Sequence, residues 1–354
     1  RIARGPGRGE TSFGQRHIIE ARDAEHVTGQ MLHVFAGGHT EAARALAHAA
    51  LGVGGQGDLA TRSDRVMADL LDEALQLIAA EDTTLRVRLL SRLAIALYFL
   101  HAPERREALS QEAVALARRL GDPATLAEAL AGRYYALWGP DYMEERLALA
   151  HETLRLGAET ESKDMLRAGF IFRALALLEV GDIVAFDENL QLYAELTAES
   201  RQPYYLWRRS SLRTMRTLLA GQFAEGEQLA QETLAHGQRA QTPNAFLVFA
   251  ISLFVLRREQ GRFQELEEPL KQFAERYPAI LSCRTGLALL YTELDRQAEA
   301  RSEFEQVAAR GFAAIPRDGN WLNVCQELAQ TCTFLGDIPR AGELYDMLSP
   351  YASR

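Results

Sequence analysis

The sequence predicts an all-α protein, a solenoid of about seven antiparallel helical hairpins. Three observations carry that expectation. Alanine (55) and leucine (52), both strong helix formers, make up about 30% of the 354 residues. A short turn pattern recurs through the second half of the chain. No stretch alternates like a β-strand between hairpin signals.

The turn pattern is a turn residue, usually glycine, then any residue, often an apolar one, and a small or apolar residue five after the turn. Gly181 leads to Phe186, Gly221 to Gly226, Gly261 to Leu266 and Gly336 to Ala341. Weaker copies run from Asp295 to Ala300 and from Gly38 to Ala43. The turns at 181, 221, 261, 295 and 336 lie 40, 40, 34 and 41 residues apart. Glycine suits the site because helices commonly end on a left-handed residue. The small residue suits a close crossing of two helices.

Taken in order, 41–51 reads as a helix, then a glycine-rich break at 52–57, then a helix over 64–80. Stretches 84–100 and 103–120 form a pair broken at His101-Ala102, and 124–138 and 142–156 a pair broken at Gly139-Pro140. Asp122-Pro123 and Thr242-Pro243 each place a capping side chain before a proline at the first helical position. The stretch 165–180 precedes Gly181, and Phe186, Leu190 and Tyr193 then repeat at helical spacing. Ala300, Phe304 and Val307 do the same after Asp295. Pro269 falls inside a second helix, where it shifts the start or kinks it.

Several chemistries are excluded or disfavoured. Lys163 and Lys271 are the only lysines among 39 basic residues, and neither follows a glycine. A phosphate-cradling P-loop and a kinase-type lysine strand are therefore absent. The net charge of −9 does not support a general nucleic-acid footprint. Cys283, Cys325 and Cys332 are odd in number and lack a Cys-x-x-Cys spacing, against a disulfide framework or a zinc site. Cys325 and Cys332 read as small core residues in a reducing compartment. No apolar run reaches 18 residues; the longest, 245–256, is followed at once by Arg257 and Arg258. Residues 1–20 read as a poorly ordered cut end or linker, and 21–354 as the repeat array.

The period, the helix–turn–helix unit and the turn signature resemble tetratricopeptide repeats. YTELDRQAEA (291–300) followed by Phe304 lies nearest that pattern. The drifting period departs from it. Further stretches are AALGVGGQG (49–57), LSQEAVALARRLGDPATLAEA (109–129), ALWGPD (136–141), LRREQGR (256–262) and SPYA (349–352). With them the chain resembles the repeat region of bacterial multidomain regulators with an AAA- or STAND-type ATPase core. Their outputs are a LuxR-type DNA-binding module or a class III nucleotide cyclase. The resemblance implies a right-handed superhelix, a cytoplasmic sensor or scaffold segment, and an ATPase domain lying outside this stretch.

The candidate site is basic and aromatic. Arg209, Arg213 and Arg216 share a helix face beside Trp207. Arg133, Tyr134, Trp138 and Arg173 fall on the first helices of earlier hairpins, which in a solenoid line one concave surface. Planar guanidinium forks there would hold an acidic peptide or a phosphate. The competing expectation is that these arginines pair with glutamates on neighbouring helices and that the aromatics are core. Gly52-x-Gly54-x-x-Gly57 fits a dinucleotide fingerprint, but a helix rather than a strand precedes it. His17, His26, His33, His39 and His48 cluster without metal-ligand spacing. The function expected is a non-catalytic binding and regulatory module for a protein partner or small effector, with no cofactor, metal, membrane or direct nucleic-acid contact. The alternatives are a role assigned through a cyclase or ATP-binding parent, and a helical-array enzyme.

Overall fold

A computed structural model describes residues 39–52, 65–78, 83–100, 102–198, 200, 202–242, 244–278 and 280–352. The expectations for residues 1–38, including the turn copy at Gly38 and three of the clustered histidines, lie outside them, as do the glycine run after Gly52 and Pro243. The described residues are all-helical, with no strand.

The first helices are α1 (His39–Gly52), α2 (Arg65–Leu77), α3 (Thr84–Ala96) and α4 (Pro103–Leu120). Next come α5 (Pro123–Ala136), α6 (Met143–Glu159), α7 (Lys163–Glu179) and α8 (Ile183–Thr197). Then follow α9 (Pro203–Leu219), α10 (Phe223–Arg239), α11 (Ala245–Glu259) and α12 (Glu267–Arg276). The chain ends with α13 (Leu281–Glu293), α14 (Gln297–Ala308), α15 (Trp321–Leu335) and α16 (Ile338–Leu348). Sixteen helices are described, two more than seven hairpins require. A helix at His39–Gly52 confirms that no strand leads into the glycine run.

Turn chemistry decides where the helices stop. Gly121, Gly181, Gly221, Gly261 and Gly336 all sit at positive φ, and Asp295 adopts the same left-handed backbone (φ 56°). At the helix starts, Asp122 Oδ2 accepts from Thr125 N (2.8 Å) with Pro123 in the first turn. Asp182 and Asp337 cap α8 and α16 the same way. Pro269 has the effect expected of it. Residues Phe263–Leu266 form a 3-10 turn, and α12 starts only at Glu267, with the proline in its first turn.

Consecutive helices pack on one another, α11 meeting α12 through the 3-10 turn and a stacked Phe246–Phe273 pair (5.8 Å). Alternate helices also touch: α1 on α3, α3 on α5, α5 on α7, α9 on α11 and α13 on α15. Glycines permit the closest crossings. A Cβ on Gly132 would stand 2.6 Å from Ser91 Cβ, and one on Gly226 2.5 Å from a Leu218 methyl. The apolar core runs along the array in segments. One segment spans α3 to α7, and the largest spans α13 to α16 with Trp321, Cys325 and Cys332 buried inside it. Those cysteines are core residues, and burial pushes the Cys325 thiol up to about 12. Among the described residues no helix is long and apolar enough to cross a membrane.

The expected open array is bridged between its distant parts. Tyr98 and Asp141 of the first half touch Gly319 and Arg317 of the last quarter.

Candidate ligand cleft

Arginine is used chiefly to tie one hairpin to the next. Arg105 reaches Asp72, Arg118 reaches Glu152, Arg257 reaches Glu227 and Arg340 reaches Glu305, each across 30 to 35 residues. Arginine suits such pairs. A planar fork can hold two carboxylate oxygens at once, as Arg216 does with Asp187 (2.7 and 2.9 Å).

A finer repeat lies inside the hairpins. Arg133 Nε donates to Glu145 (2.6 Å), and Arg213 Nη2 to Glu225 (3.0 Å), each twelve residues on. The three arginines at 133, 173 and 213 are 40 apart. At the middle copy the glutamate position is Ala185. Arg173 accordingly makes no hydrogen bond or ion pair among the described residues, and its Nε is buried without a partner. Arg133 also donates to Ser110 on the preceding second helix (3.2 Å). This arginine position therefore faces the seam between successive second helices, α4 and α6, rather than the row of first helices expected from the sequence.

The aromatic candidates divide the same way. Tyr134 is fully buried, stacks on Phe172 (4.2 Å) and donates to the Phe172 carbonyl (2.8 Å). Burial raises its hydroxyl to about 12. Trp138 is half-buried, and its carbonyl accepts from Tyr98 (2.7 Å). Trp207 is fully buried, with its Nε1 unpaired against Gly237. Tyr134 and Trp207 are thus packing residues.

Sequence reasoning missed Arg146. Its side chain has no solvent exposure. Nη1 and Nη2 donate to both carboxylate oxygens of Glu179 (2.8 Å each), Nη2 also to Tyr134 Oη (3.1 Å), and the guanidinium lies 4.8 Å from the Tyr134 ring centre. Burial alone would lower its pKa, but Tyr134 and Glu179 more than offset this and hold it raised. The signal was present. Met143, Arg146, Leu149, Ala150, Thr153, Leu156 and Gly157 form the buried stripe of α6, so Arg146 is a charge on an apolar face. Glu327 stands likewise on the buried stripe of α15.

Of the candidates, Arg209 and Arg213 come together in a cleft. Its volume is about 440 Å³, between α8, α9 and α10. Asp187, Leu190 and Gln191 line one wall, Arg209, Ser210 and Arg213 the floor, and Leu229, Glu232 and His236 the other wall. Ser210 Oγ and His236 Nδ1 share a hydrogen bond (2.8 Å). Asp187 is held by Arg216 and Arg213 by Glu225. Arg209 is half-buried and makes no hydrogen bond or ion pair among the described residues. The cleft thus offers one uncommitted guanidinium beside the Glu232 carboxylate, a hydroxyl–imidazole pair and apolar carbon from Leu190, Ala194 and Leu229. Arg133, Tyr134, Trp138 and Arg173 are not among the residues that line it. No group of three His, Cys, Asp or Glu side chains is placed to share a metal ion among the described residues.

Comparison with protein-family models finds no family that matches this chain. Comparison with curated proteins finds no similar relative.

Proposed function

We propose that this chain is a non-catalytic helical-repeat binding module, a right-handed superhelix of tetratricopeptide-like hairpins. Its α8–α10 cleft would seat an acidic side chain of a protein partner. The observation that carries the reading is Arg209. In a protein where many arginines are paired with carboxylates, this one lines a cleft and has no hydrogen-bonded or ionic partner among the described residues. A guanidinium presents planar donors that match a carboxylate. Leu190 and Ala194 on one wall and Leu229 on the other would take the neighbouring aliphatic part of a peptide. Such a module suits a cytoplasmic regulator whose ATPase core and output domain, DNA-binding or cyclase, lie outside this stretch.

The test is a peptide array that varies acidic content, read with the whole chain and with R209E. Binding that requires an acidic residue and disappears in R209E, while the helical circular-dichroism signal is kept, supports the cleft. Equal binding by a folded R209E removes it. ATP hydrolysis by the isolated chain would contradict the non-catalytic reading.

A further inference from the structure

Residues 309–320, which link α14 to α15, make contacts of the longest sequence separation among the described residues. Arg317 donates through Nε and Nη2 to the two carboxylate oxygens of Asp141 (2.6 and 2.5 Å), across 176 residues. Tyr351 donates to the same carboxylate (2.7 Å) and is hydrogen-bonded to Arg317. The Arg317 guanidinium lies 4.3 Å from the Trp321 ring centre, which fixes its direction. Two residues on, Gly319 N donates to Tyr98 Oη (2.6 Å), and Tyr98 in turn donates to the Trp138 carbonyl (2.7 Å).

The backbones approach closely here. A Cβ on Gly139 would stand 2.6 Å from the Arg317 carbonyl oxygen, and one on Gly319 2.9 Å from Trp138 Nε1. Yet among the described residues no apolar cluster crosses the joint. Phe312, Ile315, Trp321 and Tyr351 belong to the core of α13–α16, whereas Trp138 and Tyr142 belong to the core of α3–α7. Successive hairpins are joined by shared buried side chains. The joint is made of hydrogen bonds and a half-exposed ion pair. A half-exposed ion pair contributes little net stability because its groups can bond water instead, so the joint can part while the hairpins on both sides stay intact.

We propose that Arg317, Gly319 and Tyr351 form a latch that seats on Tyr98, Trp138 and Asp141. Closed, it ties the C-terminal hairpins to α3–α6. Open, it lets the array lengthen without unfolding any hairpin. The latch gives the array two discrete shapes, the requirement for passing a conformational state to an attached domain.

The experiment is small-angle X-ray scattering on the full chain, comparing the unsubstituted protein with R317E, D141R and the D141R/R317E swap. The latch requires R317E and D141R to raise the radius of gyration by roughly 10% or more, departing from compact-chain scaling. Their helical circular dichroism should stay unchanged, and the swap should restore the smaller value. A folded R317E with the original radius overturns the proposal, as does a swap that leaves the radius enlarged. Y98F/R317Q, which removes the Tyr98 hydrogen bonds and the Arg317–Asp141 ion pair without reversing a charge, supplies the same reading should the charge reversals fail to fold. An unchanged radius there overturns the latch equally.

Discussion

The Tyr134–Arg146–Glu179 knot and the α8–α10 cleft contain the same chemistry, arginine with carboxylates and polar hydroxyls, and end in opposite states. In the knot, Arg146 is withdrawn from water and shares its fork between one carboxylate and one phenol. In the cleft, Arg213 keeps 61% of its side chain exposed although it is paired, and Arg209 has no hydrogen-bonded or ionic partner among the described residues. The difference is position on the helix. Arg146 replaces an apolar residue on the stripe of α6. Arg209 and Arg213 stand beside the stripe of α9, where Leu212 and Thr214 are buried instead. A guanidinium on the stripe becomes part of the core, and one beside it stays available.

The strongest way to break this contrast is Arg146→Ala. It strands Glu179 and Tyr134 in a packed joint, and breaking such a pair should cost about 3 kcal/mol, the low end for buried pairs because Glu179 keeps 32% of its side chain exposed. Thermal melting should show it, while Arg213→Ala should leave the melting curve close to the parent.

A second substitution uses Glu327, a buried carboxylate with no cation bonded to it. It accepts from Thr285, and burial raises it from 4.5 to about 7. The native state therefore binds its proton more tightly than the unfolded chain. The stabilisation is full below the unfolded value near 4.5 and is lost as pH rises through 7. That interval corresponds to about 3 kcal/mol at 1.4 kcal/mol per pH unit. Urea unfolding should show E327Q gaining on the parent between pH 5 and pH 8; parallel curves would refute a costly buried charge.

Glycine crossings offer a comparison of packing alone. A Cβ on Gly169 would lie 2.7 Å from Leu154 Cγ between α6 and α7. Gly169→Val should cost about 2 kcal/mol by overpacking. Gly342→Ala has open space around it and should not lower the melting point.

The smallest effect sharpens the arginine rule. Ala185→Glu supplies the carboxylate that Arg133 and Arg213 have and Arg173 lacks. It also completes a capping box with Asp182, whose side chain already accepts from the 185 amide. A gain of about 0.5 kcal/mol in thermal melting is expected. A loss would show that Arg173 is not poised like its two counterparts.

Much of the fold was legible because its signals are local. The turn glycines at 181, 221, 261 and 336, the Asp-Pro cap at 122–123, and the stripes Phe186–Tyr193 and Ala300–Val307 all depend on residues within a helical turn or two. The site was legible only in part. The 4 and 3 spacing of Arg209, Arg213 and Arg216 put them on one expected face; Arg209 and Arg213 line the cleft, and Arg216 instead holds Asp187 at its edge. The same reasoning assigned Arg133, Tyr134 and Trp207 to a surface, although tertiary packing buries all three.

By itself, then, the sequence determined that this chain is helical, where its hairpins turn and which faces pack, because helix periodicity and left-handed caps are short-range properties. Tertiary structure alone decided which arginines are consumed. Apart from pairs within one helical turn, whether a guanidinium finds a carboxylate depends on partners 12 to 40 residues away, on the facing helix or the adjacent hairpin. It alone joined Asp141 to Arg317. No local pattern marks two residues 176 apart as neighbours; only the packing of the whole chain brings them together.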